Sequence, residues 1–208
     1  AFAVSEPNHP RWIIAGHPSS QPERIPQELH ISNSEVILID SLDTTTLGIN
    51  SIDAFMLVIN AKSGVSSEMI QLWARISELQ IPRMIVVNGL EFSEIDFDDI
   101  ILIVNRVLET VITPYLVLHD EVGEPTGLIS LADSTVHDYS GDSPNSYPAD
   151  EELSTLVSEF REELELATTE MDDSSFSQGL LVPALPLIKE KKIGVQEIQK
   201  VWSVLTTR

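Results

Sequence analysis

Cysteine is absent from all 208 residues, so disulfides, thiolate metal sites and cysteine nucleophiles are excluded. Aromatic residues are few (3 Trp, 3 Tyr and 6 Phe), which leaves the core to aliphatic side chains. Positive charge is also scarce. Only 12 Lys and Arg stand against 33 Asp and Glu, a formal net charge of −21. A surface of that sign is repelled by a nucleic-acid backbone and by an anionic bilayer, so direct nucleic-acid contact and membrane binding are not expected. No apolar run reaches the roughly 20 residues a membrane-spanning helix needs, and no signal-peptide pattern opens the chain. A cytoplasmic protein is the expectation.

The apolar residues make up 42 % of the chain and fall into short runs separated by helical periods. Residues 12–15, 36–39, 55–59 and 84–87 read as buried strands, with a further one at 180–183. Met69, Leu72, Trp73, Ile76 and Leu79 repeat at three and four, as do Phe97, Ile100, Ile101, Val104, Leu108 and Val111. These spacings predict amphipathic helices. Strands apolar throughout, each followed by a helix, indicate a parallel sheet covered on both faces. Ligands in such sheets bind beyond the carboxyl ends of the strands. Gly16 and His17, Asp40, Asn60 and Asn88 stand at those ends.

After residue 115 the pattern changes. A strand at 115–119 is followed by "GEPTGLIS" and "TVHDYSGD", which read as antiparallel strands joined by turns. Residues 140–148 read as a surface loop. One long helix is expected from Asp150, with Leu153, Leu156, Val157, Phe160, Leu164 and Ala167 on one face. "DDSSFSQG" interrupts, and Val195, Ile198, Val201, Trp202 and Leu205 mark a closing helix. The fold class expected is therefore α/β: a mostly parallel sheet with helices on both faces, interrupted by a smaller α+β insertion. The expected division is 1–115 plus 180–208 for the main domain and 116–179 for the inserted subdomain.

Five stretches in order carry a resemblance to a known family. They are "DAFMLVINAKSGV", "IPRMIVVNGLEFSEIDFDDII", "GEPTGLISL", "YPADEELSTLVSEFREELELATTEMDD" and "LVPALPLIKEKKIGVQEIQKVWSVL". Together they resemble the G domain, with its inserted subdomain, of elongation factor G and the ribosomal-protection translational GTPases. The resemblance implies a P-loop-NTPase-like fold, GTP or GDP with Mg²⁺ as ligand, and a role in protein biosynthesis on the ribosome. In that family further domains follow, so the chain is expected to be either a piece of a longer factor or a stand-alone relative.

The nucleotide motifs themselves depart from the family pattern. The phosphate loop G-x-x-x-x-G-K-[ST] cradles phosphate through backbone N–H groups, its Lys and a Mg²⁺-binding hydroxyl. Here it reads "GHPSSQPE": Gly16 and His17 match the family start, but Gln21, Pro22 and Glu23 replace the second Gly, the Lys and the hydroxyl. Of the family's D-x-P-G-H only Asp40 is kept, with Asp43 and Thr44 at the last two positions. The guanine-reading N-K-x-D becomes Asn88-Gly89-Leu90-Glu91, and G-S-A aligns with Leu187-Ile188-Lys189. Between Gly16 and Asp40 there is little room for a switch loop to order around a γ-phosphate. The resemblance thus implies a remnant nucleotide site at Gly16, His17, Asp40, Asn88 and Glu91, a GTPase by ancestry that is inactive, and no bound cofactor. The alternative is weak GTP or GDP binding with Mg²⁺.

The acidic helix at 150–167 resembles a family helix that docks the ribosomal stalk protein, which implies Glu159, Glu162 and Glu163 as partner-binding residues. A solvated helix face is the simpler reading of the same charges. The five His have no metal-ligand spacing, and no nucleophile-elbow motif supports a Ser-His-Asp triad. An unrelated α/β enzyme with a strand-end pocket near Asp40 is the remaining alternative.

Overall fold

The computed structural model describes residues 10–40, 51–92 and 94–207. The first strand, β1 (Trp12–Gly16), is followed by two 3-10 turns and the four-residue α1 (Ile25–Glu28). Then come β2 (Ser34–Leu38), β3 (Ala54–Asn60), α2 (Ser67–Glu78), β4 (Arg83–Asn88) and α3 (Phe97–Val107). A second set follows: β5 (Tyr115–His119), β6 (Pro125–Ser130), β7 (Thr135–Asp138), β8 (Asn145–Pro148), α4 (Glu151–Leu156), α5 (Ser158–Thr168) and α6 (Asp173–Ser177). The chain closes with β9 (Ala184–Pro186) and α7 (Val195–Thr206).

Five strands form one sheet in the order β2-β1-β3-β4-β9, with every pair parallel. Four form an antiparallel sheet in the order β5-β6-β7-β8. The α/β class with its antiparallel element is as the alternation of runs predicts. Alternate residues of the parallel strands enter two cores. Ile13, Phe55, Leu57, Ile85 and Val87 face α2 and α3, which contribute Trp73, Ile76, Ile100 and Val104. Ile14, Met56, Val58, Met84 and Val86 face the other way, onto Ile198, Trp202 and Leu205 of α7. Helices α2 and α3 are well started: the Ser66 side chain accepts from Met69 N–H, and Asp96 and Asp99 form a capping box on α3.

Several expectations need correction. The strand expected at 180–183 lies at Ala184–Pro186, although the Val182 carbonyl accepts from Ile112 N–H and the Pro183 carbonyl from Ile85 N–H of β4. Proline has no N–H to give a ladder, and Leu180 is half exposed, so regular pairing begins only after them. β2 is an edge strand, with Val36 and Leu38 partly exposed, so it is not buried on both faces. Residues 145–148, expected as loop, pair with β7; all four are exposed, so no apolar alternation announces the strand. The segment "DDSSFSQG" contains α6, capped by Asp172.

The expected long acidic helix is two helices meeting at Val157, whose backbone sits at φ −95°, ψ 4°. Thr155 Oγ1 donates to Glu151 O (2.7 Å) and Ser158 Oγ to Thr155 O (2.8 Å). Hydroxyls bonding back to the preceding turn compete with the helix ladder and bend it. Val157, Leu153 and Leu164 face the core of Leu116, Ile129 and Leu131, but Leu156, Phe160 and Ala167 are exposed.

Candidate functional site

The strand ends Gly16, Asn60 and Asn88 come together, as parallel pairing in register requires: Gly16 lies beside Val58, and Asn60 beside Asn88. The loop leaving β1 folds back over them. Ser20 Oγ donates to His17 O (2.8 Å), and a Cβ on Gly16 would lie 2.5 Å from that hydroxyl and 2.7 Å from Val58 O. Glycine is therefore required at 16 by close approach to the loop.

Every N–H in residues 18–22 is accounted for inside the loop. Pro18 and Pro22 have none. Ser19 N–H donates to His17 Nδ1 (3.1 Å), Ser20 N–H to His17 O (2.8 Å) and Gln21 N–H to Pro18 O (3.0 Å). Gln21, at the position of the family's second Gly, is in the left-handed region at φ 50°. Two of the loop's carbonyls point to the strand ends and are held there by amides. Asn60 Nδ2 donates to Ser19 O (3.1 Å) and Asn88 Nδ2 to Ser20 O (2.7 Å). A phosphate needs N–H groups aimed at it. This loop presents none from residues 18–22, and Glu23 adds an exposed carboxylate where the Mg²⁺-binding hydroxyl would stand. The residues present do not fit a nucleotide's phosphates.

The guanine-reading end is different. Asn88 is 2 % exposed, and its Oδ1 is buried with no hydrogen-bond partner. Glu91, on a 3-10 turn at Leu90–Phe92, likewise buries Oε2 without a partner. Gly89 sits at φ 73°, and a Cβ there would lie 2.5 Å from Asn60 Nδ2. Asn60 also accepts from Lys62 N–H (3.0 Å) and Ser63 N–H (3.3 Å) through Oδ1, so its side chain is fixed in the space a residue-89 side chain would enter. The lysine of the family motif cannot be accommodated while Asn60 stands there.

Asp40 is exposed one residue beyond Ile39, whose N–H donates to Gly16 O (2.8 Å). It lies near the same end of the sheet. Asp43 and Thr44 lie outside the described residues. Glu159, Glu162 and Glu163 are exposed on α5, over the antiparallel sheet and apart from the strand ends. Among the described residues no group of three acidic or His side chains is placed to hold a metal ion, and no helix is long and apolar enough to cross a membrane.

Two clusters have no counterpart in the sequence reading. At the start of β4 the buried Arg83 makes a bidentate pair with Glu109 (Nε–Oε1 2.6 Å, Nη2–Oε2 2.9 Å) and donates to Ile81 O and Gly179 O. Trp73 Nε1 also donates to Glu109 (2.9 Å), and the guanidinium lies 5.8 Å from the Trp73 ring centre. On α7, Glu197 is 2 % exposed and accepts from Tyr139 Oη (3.0 and 2.9 Å), while His137 Nδ1 lies 2.6 Å from Oε1. Burial, and then the neighbouring Glu197 charge, push the Tyr139 phenol well above the usual tyrosine range. A lone Arg in a strand and a lone Glu in a helix carry no spacing signal, so only the fold could reveal either cluster.

No protein-family model matches the chain. Over 132 residues it is 26 % identical to "Ribosome-releasing factor 2, mitochondrial" of Anopheles gambiae, a match spanning 61 % of this chain and 18 % of that protein. A crystal structure of a Thermus thermophilus protein superposes with a TM-score of 0.72 over 95 % of this chain and 40 % of the other, at 17 % identity. The chain thus spans less than half the length of either. The sequence likeness to a ribosome-releasing factor supports a distant relation to the translational GTPases, and the structural likeness shows a shared fold.

Proposed function

We propose that this chain is an elongation factor G-like G domain whose strand-end site has lost its nucleotide, with residues 116–179 as an inserted subdomain, and that it acts as a scaffold or docking module in translation. The observation that carries the reading is the loop at 18–22, whose N–H groups are consumed internally and whose carbonyls are tied to Asn60 and Asn88. Losing the phosphate-binding Lys and the Mg²⁺ hydroxyl removes charge-assisted contacts worth about 1.5–3 kcal/mol each. Titration of fluorescent GTP or GDP in the presence of Mg²⁺ is expected to show no saturation at micromolar concentrations. Tight saturable binding would overturn the reading.

A second reading rests on the unpartnered Asn88 Oδ1 and Glu91 Oε2. Two buried acceptors at the guanine-reading end suit the N–H edge of a base, and leaving them unpaired costs about 1–3 kcal/mol each. On this reading guanosine binds weakly, and Glu91→Ala abolishes the binding. Equal affinity for guanosine and adenosine, or for wild type and the variant, refutes it.

The partner proposed is the ribosomal stalk protein, at Glu159, Glu162 and Glu163. These carboxylates are exposed beside the exposed Leu156 and Phe160, so α4 and α5 offer an acidic face with apolar side chains on it. Binding to the basic C-terminal segment of the stalk is expected to weaken as salt rises, because exposed pairs are screened. Glu159→Lys with Glu163→Lys should abolish it while leaving the thermal midpoint nearly unchanged. Equal binding by wild type and the double variant, or no binding by either, leaves these helices as solvated surface.

A further inference from the structure

The few cations of this acidic chain are not evenly spread. A cavity of about 550 Å³ lies between α1 and the hairpin that joins β9 to α7, and Arg24, Lys189 and Lys192 line it together with Glu28, Leu187 and Val195. With His30 on its rim taken as neutral, three cations face one carboxylate, a local excess of two positive charges on a protein of net charge −21. Gly16, His17, Asn88 and Glu91 are not among its lining residues.

The frame holding the cations is well fixed. Ile188 and Ile193 pair across the hairpin in both directions (3.0 and 3.1 Å), and Lys192 N–H donates to Lys189 O at the tip. Lys192 adopts φ 57°, which turns the chain so that both lysines border the cavity. The intervening Lys191 points elsewhere, onto Glu124 and Pro125 O. From the other side, α7 anchors α1 through Gln199 Nε2, which donates to Leu29 O (2.9 Å). Among the described residues Lys189 pairs with Glu28 Oε1 at 3.5 Å, while Arg24 and Lys192 form no ion pair. Glu28 Oε2 is buried and accepts no hydrogen bond.

We propose that this cavity is a binding site for a small phosphorylated, hydroxyl-bearing molecule. An excess of two positive charges matches a phosphate monoester, which carries about −1.5 to −2 at neutral pH, better than a single carboxylate. A guanidinium and ammonium groups are the side chains that recognise phosphate, the first by paired N–H donors and the second as point charges. The unpaired Glu28 Oε2 calls for a donor on the same ligand, which a hydroxyl supplies. Leu187 and Val195 give an apolar wall for the body of the molecule, and the volume falls in the range of small-molecule pockets. Leu187 and Lys189 stand where the family's G-S-A aligns, so the cavity borders the family's base-binding position, but Gly16, His17, Asn88 and Glu91 do not line it. Binding here without binding of GTP leaves the scaffold reading intact.

The test is calorimetric titration of the whole chain with ribose 5-phosphate at about 0.15 M salt, where the long-range repulsion of the acidic surface is screened beyond roughly 8 Å. Ribose serves as the neutral control. Saturation at one equivalent is expected with ribose 5-phosphate and not with ribose. Arg24→Gln with Lys192→Gln should weaken it by about tenfold or more, as loss of charge-assisted bonds implies. Lys62→Gln with Lys200→Gln, which removes equal charge elsewhere, should leave it unchanged. Arg24 and Lys192 are exposed, so the variants are expected to melt like wild type. Absence of saturation, equal binding of ribose, equal affinity in the Arg24/Lys192 variant, or saturation only by a single-stranded RNA would each overturn the proposal.

Discussion

Asn60 and Asn88 show how two amides can decide the character of a loop they are not part of. Each donates to a carbonyl of the segment after β1, at 3.1 and 2.7 Å, and this holds the peptide planes with their oxygens toward the strand ends. On the reading proposed above, placing the family's residues at 89 and 91 alone is therefore not expected to create a nucleotide site. Gly89→Lys forces a left-handed backbone on a residue with a Cβ and drives that Cβ against Asn60, so it is expected to destabilise the fold by about 1–2 kcal/mol from the backbone alone. Urea unfolding of Gly89→Lys with Glu91→Asp should show that loss, and GTP titration of the same variant should show no gain. Tyr139 yields a pH prediction. Its raised folded pKa means that the Tyr139–Glu197 bond contributes fully below the usual tyrosine pKa of about 10 and is lost as pH climbs above it. Stability should fall with pH on the alkaline side, and Tyr139→Phe should flatten that fall while costing about 1–3 kcal/mol at neutral pH.

At the scale of elements, Arg83 occupies a position of leverage. It holds Glu109, just after α3, and Gly179, just before the chain returns to β9, so one guanidinium secures both ends of the segment that carries the antiparallel sheet. Arg83→Met strands the Glu109 carboxylate among partly buried neighbours and should cost about 3–5 kcal/mol, as breaking a buried pair generally does. Arg83→Lys keeps the charge but lacks the fork that reaches Glu109, Ile81 and Gly179 together, so it too should destabilise, by roughly half as much. Hydrogen exchange gives the more specific readout: amides of β5 and β9 should lose protection before those of β1 and β3. Equal loss throughout would mean that Arg83 supports the whole domain and not the ends of this segment. The bend at Val157 is of the same kind. Two hydroxyls and one inward valine split what periodicity reads as one helix, and so leave Leu156 and Phe160 on the outside.

For the whole molecule the dominant fact is the charge. With 33 acidic residues against 12 basic ones, the compact state carries repulsion that the expanded chain relieves. Raising salt from about 0.01 M to 0.15 M shortens the screening length from roughly 30 Å to 8 Å and should raise the thermal midpoint. A midpoint that falls with added salt would show that attractive pairs such as Arg11–Glu35, at 2.7 Å on the surface, outweigh the net repulsion. The antiparallel sheet shares a core with the parallel one, since Tyr115, Leu128 and Tyr139 pack with Val86, Leu185 and Ile198. A single unfolding transition is the expected result, and two separated transitions would show that this shared core is too weak to couple the sheets.

What the amino-acid order determined by itself is the set of elements that bury apolar surface. Continuous runs at 13–15, 54–59 and 84–87, and the three-four spacing of α2, α3 and α7, have few other ways to hide their side chains from water, so the α/β class was legible. The departures from the family pattern at 21–23, 89 and 91 are comparisons made in one dimension, where a missing lysine or hydroxyl is visible. Tertiary structure alone decided the features that depend on residues far apart in the chain. The inward turn of the loop N–H groups depends on two amides 41 and 68 residues away, and the Arg24–Lys192 cavity on a hairpin near the far end of the sequence. Short exposed β8 and the break at Val157 escaped for a related reason: hydrogen bonds and hydroxyl competition set them, and these leave no hydrophobic period to read.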